Sequence, residues 1–233
     1  MHTPSFADVI AASQRQFDLD LVELDNLKTK TVEGKRHYNT PGGLYPSITT
    51  VLSNYNKEGI LEWRRRVGEE EANRVMVQAS RRGTAVHEMC ENYILNTPEK
   101  VVDPVPSNVE SFRQIKTFLD QHVGVVKGVE TPLYSDYLKV AGRCDCIAEY
   151  DGKMSIIDFK TSRKFKKREW IKSYFMQTAG YAVMFEERTG IPVSQLVILM
   201  AVDSDQPLVF VEKRDDHIHD LIEVINEHSS YSN

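Results

Sequence analysis

The segment 140–162, VAGRCDCIAEYDGKMSIIDFKTS, constrains the fold more than any other part of the chain. Two strand-like runs in this segment flank the dipeptide Asp151-Gly152. Asp-Gly in that setting predicts a β-hairpin with a two-residue type I′ turn, because this turn needs a positive φ at both central residues. The turn also sets the register of the hairpin and places Asp145 opposite Asp158. The second strand is apolar enough to be central in a sheet.

The predicted register puts two carboxylates and a lysine on one face of the hairpin. Side chains alternate along a strand, so Lys160 joins Asp158 on that face while Phe159 points to the other. Opposed Cβ atoms lie ~4.5–5.5 Å apart, and carboxylates this close repel each other unless a cation lies between them. Either both are solvated, or they bind a hard cation such as Mg²⁺. The apolar strand favours the cation, and Lys160 could hold a water or stabilise a phosphate, so the pattern predicts metal-assisted hydrolysis.

Five motifs in order resemble the PD-(D/E)XK nuclease superfamily, in its RecB-like branch. The hairpin and the segment after it carry three of them: Gly142-x-x-Asp145, Asp158-Phe159-Lys160-Thr161 and Gln177-x-x-x-Tyr181. Two upstream motifs, YPSITTVLS at 45–53 and RGTAVH at 82–87, are similar to phage exonucleases and to mitochondrial genome maintenance exonucleases. The resemblance runs from about 36 to 200. It implies an α/β fold, with a mixed central sheet flanked by helices and a helical N-terminal portion.

The resemblance also implies a set of ligands for Mg²⁺ or Mn²⁺. Asp145 and Asp158 would bind the metal, with His87 and the carbonyl of Phe159 as further ligands, and Lys160 would act on the phosphate. Without the resemblance, a lone histidine on a half-buried helix is more often a hydrogen-bonded core residue than a ligand.

Three more residues form a second tier of candidates. Glu91 lies one helical turn after His87 and could orient its ring. Glu130, in the strand before the hairpin, is either a further acid of the site or the partner of a basic neighbour. Arg143 lies within the first catalytic motif.

A basic run follows Lys160 and could draw in a phosphate backbone, although a solvated loop is the alternative. The predicted substrate-binding residues are Gln177, Tyr181, Thr161, Ser162, Arg163, Lys164, Lys166, Lys167 and Arg82. The three arginines at 64–66 form either a solvated helix face or a further set of phosphate contacts.

The remaining pattern is mainly helical before the hairpin. Residues 35–46 predict a small hairpin, and Ser47 is expected to cap a short helix. From 60 to 95 the pattern predicts helices interrupted near Gly68 and Gly83, with His87 opening the next helix. The chain is expected to be one nuclease domain, with an N-terminal extension (1–35), a mainly helical part (36–123) and a sheet core (124–233).

Composition excludes several classes of protein. The three cysteines cannot supply the four thiolates of an iron–sulfur cluster, so we expect no such cofactor. No apolar run approaches the ~20 residues of a membrane span, and the N-terminus lacks the pattern of a signal or transit peptide. We therefore expect no membrane partner and a cytoplasmic location, in the host if the protein is viral. The net charge of −5 does not favour nucleic-acid binding, but a local basic channel is sufficient for it.

These observations predict a metal-dependent DNA exonuclease of replication, recombination or repair. Its partner would be DNA that is single-stranded or has a free end, a preference that rests only on the resemblance. The alternatives are a sequence- or structure-specific endonuclease of the same superfamily and a non-catalytic DNA-binding module.

Overall fold

The computed structural model describes residues 5–12, 15–53, 55, 57–102, 104–203 and 205–230. The helices are α1 (Phe6–Ala11), α2 (Ile48–Leu52), α3 (Lys57–Val67), α4 (Glu69–Ile94), α5 (Pro106–His122), α6 (Lys172–Thr189) and α7 (Ile218–Ser230). The strands are β1 (Thr29–Val32), β2 (Lys35–Thr40), β3 (Gly43–Pro46), β4 (Val123–Ser135), β5 (Val140–Tyr150), β6 (Lys153–Ser162), β7 (Gln195–Val202) and β8 (Leu208–Lys213). Short 3₁₀ turns lie at Pro98–Lys100, Arg168–Ile171 and Arg214–Asp216.

The predicted hairpin is formed by β5 and β6. Asp151 and Gly152 have φ values of 51° and 73°, as a type I′ turn requires. Tyr150 pairs with Lys153 directly beside the turn, so the two-residue loop and the register that it sets are confirmed there.

The hairpin lies inside a five-stranded sheet of order β4-β5-β6-β7-β8. Strands β6 and β7 are parallel, and the other neighbouring pairs are antiparallel, so the sheet is mixed as expected. Alternation along β6 sends Ile157 and Phe159 into the core beneath α4 and α5, and Ile156 into the core beneath α6. Helices therefore cover both faces, which confirms the predicted fold class.

A smaller antiparallel sheet, β1-β2-β3, packs on the N-terminal end of β5. The β2–β3 pair is the predicted small hairpin. Ser47 occupies the N-cap position of α2 as expected, but its side chain makes no capping hydrogen bond. Tyr38 and Tyr45 pack with Ala141, and a parallel bridge joins Ser47 to Ala141. The small sheet is thereby fixed beside the opening of the hairpin.

One helical boundary differs from the prediction. The helical pattern is interrupted at Gly68, between α3 and α4, as predicted. Helix α4, however, continues through Gly83, and His87 lies inside this helix rather than at the start of another. A glycine in a helix costs only about 1 kcal/mol relative to alanine, and the residues from Val86 to Ile94 repay that cost by burial. Across the described residues, no helix combines the length and the apolarity that a membrane crossing needs.

We expect Gly83→Ala to stabilise the protein. Beyond the adjoining residues and backbone of its own helix, no atom lies within 4 Å of a Cβ built at Gly83, so the substitution adds helix propensity without a clash. The expected gain is up to about 1 kcal/mol in unfolding free energy. Thermal or urea unfolding measures the change. As a control, Gly152→Ala should cost about 1–2 kcal/mol, because alanine must then adopt a φ of 73°. A lower melting temperature for Gly83→Ala would contradict an unbroken α4.

Candidate metal centre

The candidate site lies where β5 and β6 separate. Their paired register ends at Cys146 and Ile157, one step short of the predicted pair Asp145–Asp158. The Asp145 carboxylate instead accepts a hydrogen bond from the backbone N–H of Phe159 at 2.9 Å. The side chain thus takes the place of a strand partner, and this satisfies a buried donor while the strands move apart.

Tyr181 and Gln177 of α6 close one side of this opening. A Cβ added to Gly142 would lie only 2.6 Å from the Tyr181 ring, so the glycine is what allows the ring to pack against β5. The Gln177 amide donates to Asp158 Oδ1 at 3.3 Å and to Tyr181 Oη at 3.3 Å. The predicted Gln–Tyr pair is therefore coupled to the Asp158 carboxylate through one side chain.

His87 reaches the opening from α4, on the other side of the sheet. Its Nδ1 lies 3.5 Å from Asp145 Oδ1, and its Nε2 lies 2.7 Å from the carbonyl oxygen of Phe159. Both ring nitrogens thus face groups that are predicted metal ligands.

Glu130 completes a group of donor atoms. One ligand atom from each of His87, Glu130 and Asp145 lies within 4.8 Å of the others. Glu130 has a φ of 47°, which is uncommon for a residue other than glycine, and Arg143 Nη1 donates to its carbonyl at 2.7 Å. Strained backbone of this kind clusters at functional sites. The second-tier candidate Glu130 therefore belongs to the donor group, with Arg143 supporting its backbone.

Asp158 and Lys160 lie beside that group. The Lys160 ammonium contacts Asp158 Oδ2 and lies 4.9 Å from the centroid of the Tyr174 ring. Burial lowers the pKa of Lys160, but the negative charges of Asp158 and Asp145 outweigh it and raise the pKa above the usual value. The lysine therefore stays protonated.

The pKa values show crowding of negative charge. Burial and the charge of Asp145 raise the pKa of Glu130 to about 7, and burial, with Asp145 adding to it, raises that of Asp158 to about 6. Burial also opposes ionisation of Asp145 and His87, but their mutual contact prevails: it lowers the pKa of Asp145 and raises that of His87 to about 9.

A hard divalent cation fits this arrangement. Most of the available donors are carboxylate and carbonyl oxygens, which suit such ions, and His87 adds one imidazole nitrogen. With neutral His87, the carboxylates of Glu130, Asp145 and Asp158 and the ammonium of Lys160 leave two formal negative charges, which one divalent cation balances.

The donor group opens into a cleft of about 820 Å³. Glu91 and Arg143 line it together with Gln177 and Tyr181. Four residues that were not among the predicted site residues also line it: Arg36, Tyr38, Ser47 and Thr49. The 45–53 motif pointed to this region without identifying side chains.

Tyr174 was also missed, although its position carried a signal. Tyr174, Gln177 and Tyr181 are spaced so that they share one face of α6. Gln177, in the middle of this face, donates a hydrogen bond to Asp158.

Helix α4 separates Arg82 from the cleft. Arg82 lies on the opposite face of this helix from His87, beside a second cavity of about 1150 Å³ that Thr161 and Arg163 also line. Its guanidinium contacts Ser111 Oγ at 2.8 Å and Asp203 Oδ1 at 2.5 Å. Arg82 is thus held by protein groups away from the donor group.

The basic run after β6 forms an ordered turn. Ser162 Oγ donates to the carbonyl of Lys164 at 2.6 Å and accepts from its N–H at 3.3 Å. Lys164 and Lys167 are exposed, and Lys166 is half-buried. Arg168, by contrast, makes two hydrogen bonds of 2.5 Å to the Glu212 carboxylate, so it anchors the turn.

Comparison with known proteins agrees with these features. Residues 106–228 match the model of the PD-(D/E)XK nuclease superfamily, which is more than half of the chain. Mitochondrial genome maintenance exonuclease 1 from Homo sapiens is 29% identical over 151 residues, which cover 58% of this chain and 42% of that protein. The same protein from Mus musculus is 30% identical over 133 residues, 52% of this chain and 38% of that one. The Xenopus tropicalis protein is 25% identical over 178 residues, 71% of this chain and 50% of that one. The chain thus aligns with half or less of each of these relatives.

We expect two substitutions of Asp145 to separate its structural and chemical roles. Asp145→Ala leaves the buried N–H of Phe159 without an acceptor, which costs about 1–3 kcal/mol of unfolding free energy. Asp145→Asn keeps an oxygen for that N–H but loses the charge. Chemical denaturation should therefore rank Asn above Ala, while a divalent cation should raise the melting temperature of the wild type and of neither variant. Equal stability of the two variants would show that the hydrogen bond to Phe159 contributes little.

Proposed function

Because the chain belongs to the PD-(D/E)XK nuclease superfamily, we propose that it is a metal-dependent DNA exonuclease that prefers single-stranded DNA. The observation that carries this proposal is the convergence of His87, Glu130 and Asp145 beside the ion pair of Asp158 and Lys160. The named relatives are exonucleases, which favours this activity over the other chemistries of the superfamily. DNA replication, recombination or repair is the setting that we propose for it.

The proposed metal ligands are the residues whose donor atoms lie close together. His87, Glu130 and Asp145 would hold Mg²⁺ or Mn²⁺, and Asp158 and the Phe159 carbonyl are the further ligands that we propose. A bound divalent cation supplies Lewis acidity to the phosphoryl oxygen and lowers the pKa of a coordinated water. His87 must be deprotonated to bind a metal. On metal binding, its ring would therefore give up the contact with the Asp145 carboxylate and contact the metal instead.

Lys160 supplies a fixed positive charge. Asp158 and the Tyr174 ring hold its ammonium, and its raised pKa keeps the charge in place. We therefore assign Lys160 to stabilising the negative charge that develops on the phosphate and to orienting the attacking water, and not to acting as a base. Gln177 keeps Asp158 in position through its hydrogen bond.

The cleft can accommodate the DNA strand. It is open to solvent at the donor group, and Arg36 and Arg143 lie in its wall. Such local cations can bind phosphates in spite of the net charge of −5.

Single strands labelled at either end, in linear and circular form, test the activity. With Mg²⁺ or Mn²⁺ we expect stepwise shortening of the linear strand, no loss of the circular one, and no reaction in a chelator. The labelled end that is released first gives the polarity. Cleavage of both forms at similar rates would identify an endonuclease, and DNA binding without cleavage would identify a non-catalytic module.

We expect Lys160→Ala to lower turnover by ~10²-fold or more, the scale of removing one preorganised charge stabiliser. Single-turnover rates measure this, while DNA affinity without metal should stay close to that of the wild type. Lys153→Ala is a matched control, because Lys153 is an exposed lysine of the same strand next to the hairpin turn. Near-normal turnover of Lys160→Ala would remove this residue from the mechanism.

A further inference from the structure

Two large aromatic side chains are exposed just beyond the catalytic strand. Phe165 is 52% and Trp170 60% exposed, although residues of these types are usually buried. Tyr174 lies one turn beyond Trp170 and is half-buried. We call Phe165, Trp170 and Tyr174 the aromatic surface. Single exposed apolar residues are common on proteins, so exposure alone assigns no role to it.

The position of the aromatic surface relates it to the candidate site. The Tyr174 ring centroid lies 4.9 Å from Lys160 Nζ, and Lys160 in turn contacts Asp158. At the outer end, Lys167 Nζ lies 5.6 Å from the Trp170 ring centroid. A lysine therefore lies beside two of the three rings: Lys167 beside Trp170 in solvent, and Lys160 beside Tyr174 at the candidate metal site.

The backbone that carries these rings is held firmly. The two hydrogen bonds from Arg168 to Glu212 tie the turn to β8, and the Arg168 guanidinium lies 5.5 Å from the Phe175 ring centroid. Ile171, next to Trp170, is 1% exposed. A ring that is exposed on an anchored turn is preorganised for a planar ligand, since little conformational freedom is lost on binding.

We propose that the aromatic surface stacks the unpaired bases of the substrate strand and so delivers that strand to Lys160. This inference rests on the proposed function and specifies how the substrate is recognised. Aromatic rings bind successive bases without regard to sequence, and neighbouring lysines bind the phosphates. In a duplex the base faces are covered by neighbouring bases. A stacking surface at the site therefore selects single strands or frayed ends, a property that lysines alone do not provide.

Binding in a chelator tests this without cleavage. We expect Trp170→Ala to bind a single-stranded oligonucleotide about tenfold more weakly than the wild type, the scale of one lost base–aromatic stack. The substitution should not alter the salt dependence, whereas Lys164→Gln with Lys167→Gln should flatten it. Trp170→Tyr, which keeps a ring, should restore most of the affinity. Tyr137→Ala is the matched control, because Tyr137 is 77% exposed and lies beyond the opposite end of α6, where Arg188 reaches Asp136.

An oligonucleotide of the same length with abasic sites separates stacking from charge. The wild type should bind it at least tenfold more weakly, and Trp170→Ala should then cost nothing further, since the stack on Trp170 is already lost. In a Trp63→Phe background Trp170 is the remaining tryptophan, and its fluorescence should be quenched by the normal strand and not by the abasic one.

Two results would overturn the proposal: equal losses for Trp170→Ala on normal and abasic strands, or unchanged affinity for the normal strand. In the second case the exposed rings would remain available to a protein partner. Cleavage of labelled strands by the wild type is measured in parallel. If the wild type cleaves DNA and Trp170→Ala does not change DNA affinity, only the stacking role is refuted. If the wild type neither binds nor cleaves DNA, the proposed function itself is refuted.

Discussion

The hydrogen bond from the Phe159 N–H to the Asp145 carboxylate is the interaction on which the candidate site depends. Two central strands can separate inside a core only if their freed backbone groups find other partners. Asp145 provides one such partner, and its second oxygen faces His87. The same carboxylate thus ends the pairing of the strands and presents an oxygen to the opening that results. Gly142, three residues earlier, leaves the space into which Tyr181 packs.

The site maintains an arrangement that the fold alone would not favour. Asp158 is 1% exposed, and its carboxyl and that of Glu130 both have raised pKa values, so their ionised forms are unfavourable there. Glu130 also adopts a positive φ. The surrounding sheet and the apolar cores on its two faces supply the stability that permits this local cost. A cation that binds between these carboxylates would remove much of it.

The local features of the hairpin could be predicted from the sequence. The Asp151-Gly152 turn sets a register by itself, and the spacing of Gln177 and Tyr181 puts both on one helical face. The assignments of Asp145, Asp158 and Lys160 came from that register together with the family motifs. Their metal-binding and catalytic roles remain predictions.

Other features depend on tertiary contacts that no local pattern records. The register near the turn does not show that the pairing ends before Asp145, because that end results from a side-chain hydrogen bond. The place of Glu130 in the donor group depends on how β4 lies against β5, and a strand pattern cannot rank one acid above another. By residue type alone, Gly83 would be expected to interrupt a helix, but the packing of α4 keeps it helical. Arg82 and His87 are close in sequence but lie on opposite faces of that helix, which was not apparent while a break was expected between them.

The separation of the donor groups along the chain has a consequence for folding. The hairpin is local and can form early, but His87 and Phe159, whose atoms meet at 2.7 Å, are 72 residues apart. Contacts of that range require a large loop to close, and the entropy of closure is lost before the contacts stabilise the chain. A newly made or partly unfolded chain would therefore carry the acidic residues without the arrangement of donor atoms seen in the folded chain. The proposed chemistry would be withheld until the whole fold is complete.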